Sequence, residues 1–307
     1  MSIQIIKKGL SDAIQDKGRY GYQHLGIQPN GCMDLFSAWL ANWIVQNDLN
    51  NPVIELHFPS SQFQLNSDYT ICITGANFVP VINEKSVELN TPIAVKQNDI
   101  LSMLQPIEGR TAYIAIQGTL NDTDWLQSHA YAGKRLEKAQ VLDFNATPFK
   151  DSARPESMTV FMNNLIEKIH ATVFEHQSPI RFIPGPAWKD LTQNAMATLL
   201  NQSFTISAQA NRMGFHLDGP PINLAIPNAY LSSAVTRGTL QLLPNGKIIV
   251  LMADHQTIGG YANLGQIILV DLPRFAQMNT GQVFHFSVTN LENAHQLYRN
   301  LYESFQH

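Results

Sequence analysis

The stretch IIVLMADHQTIGGY, Ile248 to Tyr261, is the most informative in the chain. Ile248–Met252 is an apolar, β-branched run that predicts a buried strand. Directly after it come Asp254, His255, Gln256 and Thr257, then Gly259, Gly260 and Tyr261. A carboxylate, an imidazole, an amide and a hydroxyl thus leave the end of a rigid strand. Two glycines follow, which let backbone N–H groups approach a ligand. This is a common way to build a site. The same residues also suit a solvated β-hairpin turn, and the residue types alone leave both readings open.

Outward from this strand, the chain reads as short strands punctuated by turns. In the first half these are Val53–Phe58, Tyr69–Ile73, Ile100–Met103 and Thr111–Ile116. In the second half they are Arg181–Ile183, Phe204–Ile206, Thr239–Leu242, Ile248–Met252, Ile267–Val270 and Gln282–Phe286. All are rich in Ile, Val, Phe and Thr and bounded by Asn, Gly, Pro or Asp. Three stretches have helical spacing instead. Asp34 is a good N-cap for a helix bearing Leu35, Phe36, Trp39, Leu40, Trp43 and Ile44. Gly185-Pro186 opens a second, over 185–200, with Trp188, Leu191, Ala195 and Leu199 on one face. Thr289 and Glu292 form a capping box for a third at the C-terminus. The fold class is therefore mainly β, a barrel or sandwich with a few decorating helices. Strand and helix do not alternate, which argues against a doubly wound sheet. A boundary falls between about 146 and 178, dividing a β-rich subdomain over 1–150 from a second over 176–307. Within it, ATPFKDSARPES is polar and turn-rich, whereas MTVFMNNLIEKIHATVF suits either a strand or a helix.

Composition narrows the function. The chain has 307 residues, 44% hydrophobic and only 14% charged. Its 48 Asn and Gln solvate the surface in place of charge, so the low charge is no sign of disorder. A net charge of -4 offers no field for nucleic acid. No apolar run is long enough to span a bilayer. The N-terminal MSIQIIKKGLSDAIQDKG lacks an apolar stretch after its lysines, so no signal peptide is expected. Cys32 and Cys72 have no metal-binding or CxxC spacing, and Cys32 reads as a small buried thiol. The ten histidines are scattered singly, so no metal site is expected. These features suit a reduced, cytoplasmic protein. The chain has no GxxxxGK[ST] phosphate loop, HExxH or GxSxG, and no GxGxxG after a strand. Without a Met-Lys-Met sequence it carries no biotin of its own.

Two further clusters are polar. Gln15, Asp16 and Arg19 lie in a loop with glycines at 18, 21, 26 and 31, which suit positive φ. Such a loop either aims Asp16 and Arg19 at a ligand or uses them to hold itself together. Arg212, in Asn211-Arg212-Met213-Gly214, either grips a carboxylate or phosphate with both prongs or forms a structural salt bridge.

Taken in order, these blocks resemble a known family. Gln-Asp-x-Gly-Arg-x-Gly over 15–21 is followed by Gly-x-Met-Asp over 31–34, Ala41-Asn42, Asn47, Glu55 and Gly75-Ala76. Arg212-Met-Gly and Asp254-x-Gln-Thr-x-Gly-Gly-Tyr261 complete the series. The pattern is similar to the KipA / allophanate hydrolase subunit 2 family, over about residues 6 to 287. That family includes the C subunit of bacterial ATP-dependent 5-oxoprolinases and the carboxyltransferase region of urea carboxylase. The resemblance implies a cyclophilin-like β-barrel, placed over 176–307. It implies a hydrolase subunit that opens 5-oxo-L-proline to L-glutamate with ATP. The partners it implies are a KipI-like B subunit and a LamB/YcsF-like A subunit, which would share the handling of ATP. In that setting Asp254 is the expected acid/base. Gln256, Thr257 and the N–H groups at Gly259 and Gly260 are the expected oxyanion donors. Gln15, Asp16, Arg19, Arg212, His255 and Tyr261 are the expected substrate contacts. Two other readings stand beside this one: carboxyl transfer from a biotin carried by another chain, and non-enzymatic binding of a KipI-like kinase inhibitor. The chain departs from the family at Gln117-Gly118, in a shortened stretch before Gly133, and at His255, where relatives have arginine.

Overall fold

The structure, a computed structural model, describes residues 1–145, 156–175, 177–225 and 230–306. The polar tract 146–155, read above as part of a boundary, lies outside the described residues. The chain forms two compact units. Unit 1 comprises Met1–Arg19 and Asn30–Ala171, and unit 2 comprises Tyr20–Pro29 and Thr172–His307.

Unit 1 is built on two antiparallel sheets. One has seven strands, with Ser2–Lys7 and Gln62–Leu65 at its centre, and the other has five, centred on Glu108–Ile116. Alternation along each strand sends Ile3, Ile5, Phe63 and Leu65 from the first sheet into one core. There they join Ile54, Leu56, Ile71, Ile73, Ala112 and Ile114 from the second. Helix α1, Leu35–Ile44, starts where the sequence places it. The Asp34 carboxylate accepts from Ser37 N at 3.0 Å, and Phe36, Trp39, Leu40 and Ile44 are buried. The segment that suited either strand or helix is helical. It forms α2, Glu156–Phe174, whose buried positions Leu165, Ile169 and Val173 recur every four residues.

Unit 2 holds a nearly closed β-barrel. Its eight strands run in the order Val283–Phe284, Phe204–Ile206, Gly214–Asp218, Ile248–Leu251, Thr239–Leu242, Ala262–Ile267, Ile180–Pro184 and Phe286–Val288. The two outermost strands are consecutive in sequence, separated only by His285. One stretch of chain therefore supplies both margins of the sheet and draws them together. The barrel that the family resemblance implies is thus present, and drawing its margins together leaves little of the exposed edge that an open sheet would carry. Its interior is aromatic. The rings of Phe275, Phe284 and Phe286 meet edge-on at 5.4 and 5.1 Å, with Phe182, Phe204 and Phe215 packed around them.

Several element boundaries differ from the sequence reading. Gln282–Phe286 splits at His285 into the two marginal strands. The strand expected over Ile267–Val270 ends at Ile267. Beyond it Asp271 N donates to Ile268 O in a turn, and Leu272–Gln277 forms a further helix, α4, with every residue buried. Asp271 anchors this corner by accepting Arg181 Nε and Nη2 at 2.9 and 2.6 Å. The single helix expected over 185–200 is two pieces, a 3₁₀ turn at Pro186–Asp190 and α3 at Gln193–Asn201. Leu191 between them is extended and bridges to Leu224, and Thr192 caps the second piece through Ala195 N. The C-terminal helix α5, Leu291–Tyr302, is capped by Asn290 and not by Thr289. Asn290 Oδ1 accepts from Asn293 N, while Thr289 Oγ1 accepts from the Asn293 side chain.

Candidate functional site

In unit 2 the 248–261 stretch is fixed before its side chains are considered. The strand ends at Leu251, and Met252 N and Asp254 N donate to Met213 O and Arg212 O. These two bonds set Asp254 beside Arg212 at the tip of the neighbouring hairpin. The carboxylate and guanidinium then meet fork to fork, Nε to Oδ2 at 2.9 Å and Nη2 to Oδ1 at 3.0 Å. The pair is poorly hydrated, with side-chain exposures of 18% for Arg212 and 10% for Asp254. Asp254 is therefore held in one orientation. Arg212, expected as a separate anchor for substrate, is engaged by Asp254, because their backbones are already hydrogen-bonded side by side. Gln28, from the Tyr20–Pro29 segment of the same unit, donates to Asp254 O at 2.9 Å.

His255 offers no permanent charge of the kind that an arginine at this position would supply. It is 2% exposed, and its Nδ1 lies 2.6 Å from Gln256 O. A carbonyl only accepts, so Nδ1 carries the proton in that contact. Burial lowers the imidazole pKa, with the charge of Arg237 acting in the same direction. The ring is neutral at physiological pH.

After His255 the chain turns outward. Ile258–Gly259 pairs with Ser233–Ala234 in a two-stranded ribbon, and Val235 N donates to Thr257 O. Gly260 is exposed and Tyr261 is 47% exposed. The Gln256 amide reaches inward, with Nε2 3.4 Å from Gln241 Oε1. Asp254, Gln256, Thr257, Gly259, Gly260 and Tyr261 thus belong to one short connection between the strands Ile248–Leu251 and Ala262–Ile267.

The other expected contacts lie in unit 1 and are engaged there. Gln15, Asp16 and Arg19 are all buried. Asp16 accepts from Gly18 N, Ser128 Oγ and His129 N at 2.7, 2.7 and 2.6 Å. Arg19 donates to Trp125 O and Ala130 O, and its guanidinium lies 4.7 Å from the Trp125 ring and 5.0 Å from Tyr131. Of the two readings open in the sequence, this geometry is that of a loop holding itself together. Both side chains grip the 125–131 segment, within the stretch where the chain departs from the family pattern. Glycines 18, 21, 26 and 31 all take positive φ. Gly31 has no room for a side chain, since a Cβ there would lie 2.9 Å from Gly18 N.

The remaining motif residues of unit 1 brace the same loops. Glu55 accepts from Met33 N and from the Tyr113 hydroxyl, which itself accepts from Asp34 N. Burial raises the Tyr113 pKa well above its ordinary value, so the hydroxyl keeps its proton. Asn47 joins Ile116 O to Gly118 N through its two amide atoms.

Sequence reasoning missed two residues that touch the 254–259 stretch, Gln28 at Asp254 and Gln241 at Gln256 and Gly259. Gln28 sits between Gly26 and Pro29 in the glycine-rich loop, of which only Gln15, Asp16 and Arg19 were read as candidates. Gln241 lies within the strand Thr239–Leu242, all of it buried. An amide inside an otherwise buried strand is a legible signal, because such positions are normally apolar. Among the described residues no cluster of three or more His, Cys, Asp or Glu could hold a metal ion, and no helix is long and apolar enough to cross a membrane.

Comparison with known proteins places this geometry in context. The chain is 28% identical to the C subunit of 5-oxoprolinase from Escherichia coli over 296 residues, which cover 95% of this chain and 93% of that protein. The corresponding C subunit from Haemophilus influenzae is also 28% identical, over 286 residues. The fold matches the crystal structure of Kluyveromyces lactis urea amidolyase with a TM-score of 0.86 at 21% identity. That match spans 99% of this chain but only 20% of the amidolyase. Residues 25–288 match the family described as the carboxyltransferase domain, subdomain A and B. With the greater part of its length covered by that match, the chain belongs to the carboxyltransferase domain family.

Proposed function

We propose that the chain is the C-type subunit of an ATP-dependent 5-oxoprolinase, which opens 5-oxo-L-proline to L-glutamate together with KipI-like and LamB/YcsF-like partners. The observation that carries this reading is the end-to-end match to 5-oxoprolinase C subunits, over 95% of this chain and 93% of the E. coli relative. Lactam opening needs a group to take a proton from attacking water and donors for the charge that develops on the carbonyl oxygen. Asp254, held in plane by Arg212, suits the first role. The Gln256 amide and the Thr257 hydroxyl, on the same segment, suit the second. The candidate residues do not fit a nucleotide. The sequence has no phosphate loop, Arg212 is engaged by Asp254, and Arg19 is buried against Trp125 and Tyr131. On this reading ATP is handled together with the partner subunits.

A second reading is carboxyl transfer to a urea-like or amide substrate, favoured by the carboxyltransferase family match over 25–288. It requires a biotin-bearing chain and a biotin carboxylase. The test mixes this chain with its cognate B and A subunits and measures glutamate release from 5-oxo-L-proline with and without ATP. ATP-dependent release that needs all three chains is expected. No release, together with bicarbonate fixation onto urea when biotin carboxylase and a biotinylated carrier are supplied, would overturn the first reading in favour of the second.

A further inference from the structure

Gln241 is 1% exposed, and its Nε2 has no hydrogen-bond acceptor in the protein. Buried amides are almost always paired, and a donor left unmet is costly. The rest of the strand shows that pairing was available: Thr239, two residues earlier and also buried, bonds Gln266 Oε1 at 3.0 Å. The other end of the Gln241 amide is used, since Oε1 lies 3.4 Å from Gln256 Nε2. Its orientation is thereby tied to the segment that carries Asp254 and Gln256. The Nε2 end packs beneath Gly259, where a Cβ would overlap it, so only glycine lets the amide reach this depth. Gly259 is half-buried and Gly260 exposed, which puts the amide one residue's thickness below the surface. Asn263, directly opposite Gln241 on the neighbouring strand, also ends in a buried oxygen without a partner. This rung of the barrel wall therefore carries polar atoms that the protein itself does not satisfy.

We propose that Gln241 is a ligand-binding residue, whose Nε2–H donates to the carbonyl oxygen of a cyclic amide or ureido ring held against the Asp254–Thr257 segment. The choice of a lactam as that ring rests on the 5-oxoprolinase reading, but the donor itself does not. Gln256 is oriented by the same amide, so the residue read from the motif and the residue hidden in the strand act on one oxygen.

The test uses the full chain, with 5-oxo-L-proline and 2-imidazolidinone as calorimetric probes. Gln241→Met keeps the length of the side chain and removes both polar ends. The variant loses the unmet donor but also the acceptor of Gln256 Nε2, whose half-buried amide can turn to water, so it is expected to melt close to the wild-type temperature. Its affinity for 5-oxo-L-proline is expected to fall at least tenfold. Gly259→Ala, which pushes Nε2 aside, is expected to give a similar loss. Wild-type binding of 5-oxo-L-proline with unchanged affinity in Gln241→Met would overturn the role of Gln241 and leave the oxoprolinase reading standing. Binding of 2-imidazolidinone alone, lost in Gln241→Met, would uphold Gln241 and overturn the oxoprolinase reading. Binding of neither probe would overturn the proposal, the amide then being a structural group satisfied by water.

Discussion

Asp254→Asn tests the fork between Asp254 and Arg212 directly. If Asp254 were an exposed residue at a strand end, so small a change would cost under about 1 kcal/mol. The structure gives a different expectation. Both carboxylate oxygens accept from one guanidinium at 2.9 and 3.0 Å, at side-chain exposures of 10% and 18%. Hydrogen bonds to charged groups contribute about 1.5–3 kcal/mol, and breaking a fully buried pair costs about 3–5. This pair keeps some water, so the lower end applies and the expected loss is about 2 kcal/mol. For a unit of this size that corresponds to a Tm decrease of roughly 4–8 °C. The measurement is thermal unfolding of Asp254→Asn, Arg212→Met and the double variant, with turnover of the assembled enzyme followed in parallel. The double variant is expected to lose less than the sum of the singles by about 1–2 kcal/mol, because the pair is broken only once. Turnover is expected to vanish in Asp254→Asn. Single-variant Tm shifts below about 1 °C that simply add would refute the ion pair, and unchanged turnover would remove Asp254 from the chemistry.

Three further outcomes follow from buried groups. Asp12 is 2% exposed, and burial raises its carboxyl pKa to about 6 from 3.8, against the opposing hydrogen bonds from His57 N and Ser61 N. The folded state thus binds this proton more tightly than the unfolded one. The resulting stabilisation is complete below pH 3.8 and lost as pH rises through 6, a difference of about 3 kcal/mol by linkage; Asp12→Asn is expected to remove that slope from urea-unfolding free energies measured between pH 4 and 7. His255 has its pKa lowered, so its contribution is lost as pH falls below the unfolded value near 6.5. Titrations should show that decline abolished in His255→Gln, and ligand affinity unaffected by His255 between pH 6.5 and 8. Arg19→Met should free the 125–131 segment, seen as faster tryptic cleavage after Lys134 and Arg135 than in wild type; equal cleavage rates would mean that Arg19 does not hold it.

The strands were legible where a single face or a fully buried run decides them. Ile100–Met103, Phe204–Ile206 and Thr239–Leu242 lie where the apolar pattern puts them. The pattern did not predict the helix at Leu272–Gln277. Six buried residues have no polar face, so no helical period shows in them. The 185–200 segment has helical spacing throughout, yet it breaks at Leu191, because that residue bridges to Leu224. Spacing reports which residues are buried, and a long-range backbone bridge leaves no trace in it.

The candidate site shows the same limit more sharply. Every polar residue after Met252 was visible, but what each one faces depends on partners far away in sequence. Asp254 meets Arg212 across 42 residues, and Asp16 meets Ser128 across 112. Residue types alone left Arg212 and Arg19 each with two readings, anchor or brace. In both cases the neighbouring backbone decides. Asp254 N bonds Arg212 O, which puts their side chains on one edge, and Cys32 N bonds Asp16 O, which draws two loops together beside the segment that Arg19 grips. An arginine brought that close to a carboxylate or to a row of carbonyls is held there, since leaving it unpaired in a half-dry setting costs more than any gain from keeping it free. Gln241 is the contrasting case. The fold buries its amide but supplies no acceptor for Nε2, so the same physical rule that turns the two arginines into braces makes this residue one that still needs a partner.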